Sequence, residues 1–287
     1  MSMTHPLLIE TEELAGRLHD PRLRLFDSYV ELTPKPTGGY EVKSGDALYE
    51  QAHIPGAAFI DVLNELSDPH HTLRFMMPPI DLLVARFSQY GVGGECEVVL
   101  YNRGATWWAT RVFFMLRALG FDSVRVLNGG LDKWLLENRA VESGRRTYPE
   151  AAFLPGPART VFVDKTAVLA AISAQDHLLV NALSPASFSG TITGYGRAGR
   201  IAGSCNVYAK SLLHPVTQAF LPTQELIAQL DNAGLLTDKP VITYCGGGIS
   251  ATTNAFALLM LGKDNVTIYD ASMNEWGPDA SLPMECG

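Results

Sequence analysis

Cys245 ends a short run of β-branched and aromatic residues, Val241-Ile242-Thr243-Tyr244, and is followed by Gly246-Gly247-Gly248. A cysteine is a nucleophile through its thiolate, so its surroundings decide whether it reacts. Glycines carry no Cβ, and their backbone N–H groups can turn inward around one centre. The apolar segment from Thr253 to Leu261 has helical character, and a helix starting there adds its positive end. The pattern is strand, tight loop, helix. It puts the cysteine at the C-terminal end of a strand, where open parallel sheets place their ligands. The cradle of Gly246, Gly247, Gly248, Ile249 and Ser250 suits an anion, either the Cys245 thiolate or charge on something bonded to it. Two other readings of this stretch stay open. A cysteine at a strand end can be a small buried hydrophobe. Three glycines can form a plain βα turn or half of a nucleotide-binding loop, although neither the G-x-G-x-x-G spacing nor a following Lys-Ser/Thr is present.

The chain has 287 residues, 47% hydrophobic and 18% charged, enough for two cores. Its net charge of −8 argues against nucleic acid or an anionic membrane as the main partner. Cys96, Cys205, Cys245 and Cys286 show neither metal-ligand spacing nor a dense disulfide pattern, and neither a metal nor a cofactor is expected. Met1 to Asp20 lacks a basic region followed by an apolar run, so no signal peptide is expected. No stretch approaches the roughly 18 apolar residues of a membrane span. The expectation is a soluble, cytoplasmic protein.

The elements that must position Cys245 follow in order. Leu7 to Leu18 reads as a helix, with Thr11, Glu12 and Glu13 at its start. Arg24 to Tyr29 reads as a strand, Thr33 to Gly45 as a Pro- and Gly-rich loop, and Tyr49 to Asp61 as a turn feeding a second strand. A helix from Asp81 to Gly91, a strand from Glu97 to Tyr101, an apolar helix from Thr106 to Leu119 and a strand from Ser123 to Leu127 come next. Strands alternating with helices predict an α/β fold with a parallel sheet. Val141 to Thr160, with Pro149, Pro155, Gly156 and Pro157, reads as a linker.

Beyond it the order repeats. Leu178-Leu179-Val180-Asn181 answers Leu25-Phe26-Asp27. Gly199 to Val207 answers Ala52 to Ile60, and Val241 to Gly262 answers Val98 to Gly120. Ile268 to Trp276 answers Val126 to Trp134. The chain is therefore expected to hold two copies of one α/β domain, residues 1–143 and 160–287, joined by a linker at 144–159. At the position of Cys245 the first copy has Asn102, in a loop Asn102-Arg103-Gly104-Ala105-Thr106. An amide is no nucleophile, so the first copy is expected to be catalytically silent.

These residues carry a family resemblance. The chain resembles the tandem rhodanese-type sulfurtransferases that use thiosulfate or 3-mercaptopyruvate, over nearly its whole length. His53-Ile54-Pro55-Gly56-Ala57 is similar to the family's first signature. Tyr269 to Gly277 with Ser281-Leu282-Pro283 is similar to its C-terminal signature, and Cys245 to Ser250 has the length of its active-site loop. The resemblance implies two rhodanese-like domains, each a parallel sheet flanked by helices, with the site between them. It implies that Cys245 takes sulfur from a small anionic donor as a persulfide and passes it to cyanide or a thiol, with the loop N–H groups stabilising the anionic sulfur. The neutral glycine loop favours 3-mercaptopyruvate over thiosulfate. Arg197 and Arg200 stand where the family places arginines that hold the donor carboxylate. Tyr29 stands at the implied cleft, and Asp61 keeps an acidic position after the first signature.

The chain also departs from the family. Gly247 replaces a usual hydroxyl residue, Phe75 replaces a histidine before Met76-Met77-Pro78, and Arg200 replaces the second copy's signature histidine. Ala202 replaces its proline, and Val180-Asn181-Ala182 replaces the family's usual Val-Asp-Ala/Val-Arg. His70 and His71 are out of register and read as surface residues. Trp107 and Trp108 read as core or domain interface, Cys205 as core, and Cys286 as exposed. A non-enzymatic rhodanese-fold binding or regulatory module is the competing reading. A phosphatase-like or arsenate reductase activity fits less well, because the loop ends Ile249-Ser250-Ala251 without an arginine.

Overall fold

A computed structural model describes residues 7–35 and 40–287. Two five-stranded sheets, one in each half, form the frame. In the first the strands lie in the order Leu8–Ile9, Val124–Leu127, Glu97–Tyr101, Leu23–Asp27, Ala58–Phe59. In the second the order is Phe162–Val163, Val266–Tyr269, Val241–Tyr244, Leu178–Asn181, Cys205–Asn206. Every neighbour pair in both sheets is parallel. The order matches strand for strand through the repeat. Strands such as Val241–Tyr244 and Val124–Leu127 are buried at every residue, as helices on both faces of a parallel sheet require.

The repeat holds down to single hydrogen bonds. Ile54 N donates to the Tyr101 hydroxyl at 3.2 Å, and Ile201 N donates to the Tyr244 hydroxyl at 3.1 Å. Tyr29 N donates to Asp27 Oδ1, and Leu183 N donates to Asn181 Oδ1. The helices that follow the two loops, Trp107–Ala118 and Ala251–Met260, pack against each other between the sheets. Thr110 Oγ1 and Thr252 Oγ1 meet at 2.6 Å, and Phe113 and Phe256 stack edge-on at 4.8 Å. Through these helices the apolar core runs without a break from one half to the other.

Two expectations need correction. Leu7 to Leu18 is not one helix. Leu8–Ile9 pairs with Val126 and Leu127 as an edge strand, and the helix covers only Thr11–Ala15. Thr33 to Gly45 is not all loop. Val30–Pro34 and Tyr40–Ser44 form an antiparallel hairpin with Glu31 opposite Lys43 in register. Pro36, Gly38 and Gly39 lie outside the described residues. The segment between the halves has no regular structure after Glu142, yet it is packed down. The Tyr148 hydroxyl donates to Gly56 O at 2.8 Å and accepts from Leu25 N at 3.0 Å.

Candidate active site

Cys245 directly follows the Val241–Tyr244 strand and is 2% exposed. One hydroxyl pins its loop. Ser272 Oγ accepts from Cys245 N at 3.0 Å and from Gly248 N at 3.1 Å, and donates to Tyr269 O at 2.7 Å. Met273 N and Asn274 N donate to the carbonyls of Cys245 and Gly246. Ser272 takes a left-handed φ of 52°, which costs a non-glycine residue about 1–3 kcal/mol. Gly130 fills the matching place in the first half with φ 55°.

Each glycine of the triplet answers a different neighbour. A Cβ on Gly246 would stand 2.3 Å from the Tyr195 hydroxyl. One on Gly247 would stand 2.7 Å from Asn274 Nδ2, and one on Gly248 2.3 Å from Asp270 O. Gly248 also has φ 70°, a conformation that favours glycine. With Cys245 N and Gly248 N bound to Ser272, the N–H groups of Gly246, Gly247, Ile249 and Ser250 have no acceptor among the described residues. These donors are available to an anion. Tyr195 lies over the loop. Burial, then the neighbouring Cys245 sulfur, push its pKa up and keep the phenol protonated.

The first half braces this loop from behind. Arg111, on the Trp107–Ala118 helix, is fully buried and pairs with Asp270 Oδ1 at 2.6 Å. Its other contacts are Gly248 O at 3.3 Å, Phe75 O, and the face of the Phe162 ring at 4.4 Å. Met77 N donates to Asp270 Oδ2 at 2.7 Å. Asp270 thus joins the Cys245 loop to two segments of the first half.

The Asn102 loop is closed on itself. Asn102 Nδ2 donates to Arg103 O and Ala105 O, and its Oδ1 accepts from Ala109 N at 3.0 Å. Gly104 N donates to the Asp132 carboxylate at 2.6 Å, so the protein's own anion occupies that loop.

A family model for the rhodanese-like domain matches the chain twice, at residues 10–137 and 164–279. The chain belongs to the rhodanese-like family. The 3-mercaptopyruvate sulfurtransferase of Escherichia coli strain K12 is 30% identical over 286 residues, covering 99% of each chain. Thiosulfate/3-mercaptopyruvate sulfurtransferase 2 of Arabidopsis thaliana is 30% identical over 98% of this chain and 87% of its own. The crystal structure of the 3-mercaptopyruvate sulfotransferase SseA from Escherichia coli superposes with a TM-score of 0.82 at 28% identity, over 93% of this chain and 99% of that one. This rhodanese-like chain is a sulfurtransferase, and the enzyme reading stands over the non-enzymatic module.

The structure gathers Cys245, Gly246, Gly247, Gly248, Ile249 and Ser250 into one loop. The four other candidate residues have their described partners elsewhere. Arg197 is bound to backbone carbonyls, from Nε to Gly277 O, from Nη1 to Leu282 O, and from Nη2 to Trp276 O and Asp279 O. Arg200 donates to Gly287 O, stacks on Phe188 at 4.4 Å and lies 3.6 Å from Glu285. Tyr29 lines a cleft beside Arg103 and Trp107 in the first half. Asp61 accepts from Ser44 Oγ and from Leu63 N and Asn64 N, which makes it the anchor of a turn. His70 and His71 are exposed. Trp108 is core, whereas Trp107 is partly buried and lines the same cleft as Tyr29.

Sequence reasoning passed over Arg111, Asp270, Ser272, Asn274 and Tyr195. Arg111 carried a signal, a charge in the middle of an apolar helix, flanked by Ala, Thr, Val and Phe, whereas Arg117 stands in the last turn. Ser272 and Asn274 lay inside the C-terminal signature. Tyr195 sits in a polar, glycine-rich stretch whose packing has no sequence period.

Proposed function

We propose that Cys245 carries a sulfane sulfur from a small anionic donor to a thiophilic acceptor, and that 3-mercaptopyruvate is the preferred donor. The observation that carries this reading is the set of loop N–H groups of Gly246, Gly247, Ile249 and Ser250, which have no acceptor among the described residues. The relatives' names support the donor class, and the neutral loop beside Cys245 favours a monocarboxylate over a dianion.

In the first step the Cys245 thiolate attacks the donor's sulfur. An S–S bond forms and the C–S bond of 3-mercaptopyruvate breaks. The leaving enolate takes the proton of the donor thiol and departs as pyruvate. The product is a persulfide anion, stabilised by preorganised N–H dipoles that need not reorganise as charge develops. With thiosulfate the S–S bond of the donor breaks instead and sulfite leaves. In the second step cyanide or a thiolate attacks the outer sulfur, and the Cys245 thiolate returns.

In this reading Arg197 and Arg200 act by holding the chain around Gly277 and the C-terminal segment, and the loop amides meet the donor. The four cysteines are free, which fits a reducing compartment such as the cytoplasm. No helix among the described residues is long and apolar enough to cross a membrane.

Intact-protein mass after incubation with 3-mercaptopyruvate, and separately with thiosulfate, tests the proposal. A gain of one sulfur atom that disappears in Cys245→Ser is expected, faster with 3-mercaptopyruvate. No gain with either donor would overturn it.

A further inference from the structure

The first half's loop faces a cleft of its own. A cavity of about 430 Å³ lies against Arg103, Gly104 and Ala105, within the size range of small-molecule sites. It is closed from the other side by the second half, through Lys210, Leu213 and Gln218. This is the mirror of the Cys245 side, where Phe75 to Met77 of the first half reach across. The docking bonds correspond, Met77 N to Asp270 Oδ2 on one side and Phe220 N to Asn128 Oδ1 on the other.

The cleft has lost the nucleophile and kept a binding surface. Its walls combine the rings of Tyr29, Trp107 and Trp108 with two cations, Arg103 and Lys210. The Lys210 ammonium lies 5.6 Å from the Trp107 ring centre. Neither cation has a carboxylate within salt-bridge distance among the described residues, and no carboxylate lines the cavity. Arg103 gives Nη2 to Leu48 O and Ala52 O, while its buried Nε has no partner. The Asp132 carboxylate, on the Gly130–Leu136 helix beside the loop, is tied to Gly104 N. In a chain of net charge −8, two cations over aromatic walls with no carboxylate in direct contact form a local exception.

The geometry points to a second binding site in this cleft, for a small organic anion with a flat apolar body, its acid group at Lys210 and Arg103 and its body on Trp107. The site is built from both halves and does not depend on the sulfur chemistry of Cys245. An anion there bridges the domains, and cation and ring act together.

Fluorescence titration of the full chain with 8-anilinonaphthalene-1-sulfonate tests it, with phenylpyruvate as competitor. The expected result is saturable binding at one site, displaced by phenylpyruvate. Lys210→Glu, at an exposed position, should weaken binding roughly tenfold or more. Trp107→Ala should weaken it by a similar factor, and Cys245→Ser should leave it unchanged. Thermal melts establish that the variants fold. Binding that is unsaturable, or that both Lys210→Glu and Trp107→Ala leave within about twofold of the parent protein, overturns the site. So does binding abolished by Cys245→Ser, which would place the probe at the other loop.

Discussion

Asp132 and Asn274 hold equivalent places in the two halves, each beside the second residue after the loop's first position, and only Asp132 is charged. Asp132 takes the Gly104 N–H at 2.6 Å, whereas the Asn274 amide stands against Gly247 as a neutral group. The Asn102 loop is filled by the protein's own carboxylate, and the Cys245 loop has no such carboxylate on Gly247. Asn274→Asp should therefore slow persulfide formation by roughly 100-fold, through competition for loop N–H groups and repulsion of the anionic sulfur. Single-turnover mass measurement reads the rate. An unchanged rate would mean that Asn274 only fills space.

The glycines are not equally necessary. A side chain at Gly248 meets the Asp270 carbonyl at 2.3 Å and a φ of 70°, so Gly248→Ala should cost about 1–3 kcal/mol and reduce activity. Gly247 faces only the end of the Asn274 side chain, which can turn aside. Gly247→Ser should change stability by less than about 0.5 kcal/mol. Urea unfolding of the two variants gives the comparison, and equal losses would refute it.

The Arg111–Asp270 pair is buried at both ends, and removing one partner leaves the other charge unanswered. Arg111→Met should destabilise the chain by about 3–5 kcal/mol. Adding Asp270→Asn should recover part of that loss, because the stranded carboxylate is gone. A double-mutant cycle in denaturant measures the coupling. Additive effects would show that the pair does not join the halves.

Asp27 predicts a pH dependence. It is fully buried, accepts from Tyr29 N, and its Oδ2 has no partner. Burial pushes its pKa up from 3.8 to about 7. The folded chain thus holds this proton over a range where the unfolded chain has released it. Stability from this group is full below about pH 4 and is lost as pH rises through about 7. Asn181 fills the same slot in the second half and accepts from Leu183 N in the same way, so Asn fits this geometry. Asp27→Asn should flatten the fall in melting temperature between pH 5 and 8 and raise stability at pH 8 by about 1–3 kcal/mol. Parallel melting curves for the two proteins would contradict this.

Much of the fold was legible because the repeat pairs strands, glycines and signatures in one order, and periodicity reports burial directly. Cys245 was legible for the same reason, since a β-branched run, a thiol and glycines compose a local motif. The Val30–Pro34 and Tyr40–Ser44 hairpin was hidden by the Pro and Gly residues around its turn. The supports of the loop were hidden for a different cause. Arg111 and Asp270 lie 159 residues apart in sequence, and no local pattern couples them. Tyr29 and Asp61 illustrate the converse. Each stands at a family position, but its contacts lie away from the Cys245 loop, Tyr29 in the Arg103 cleft and Asp61 on Ser44.

Thr110 and Thr252 are counterparts, 142 residues apart, and they touch. A residue meeting its own equivalent is what a symmetric homodimer makes on its axis. The chain is in effect such a dimer with its subunits covalently tethered. Its interface cannot dissociate on dilution, because the tether holds the effective concentration of each half near the other high. That removes the need for the halves to stay alike. A true homodimer would impose Asn102 or Cys245, and Arg111 or Thr253, on both sides at once. The tether lets one side keep Cys245 while the other supplies Arg111 as a brace.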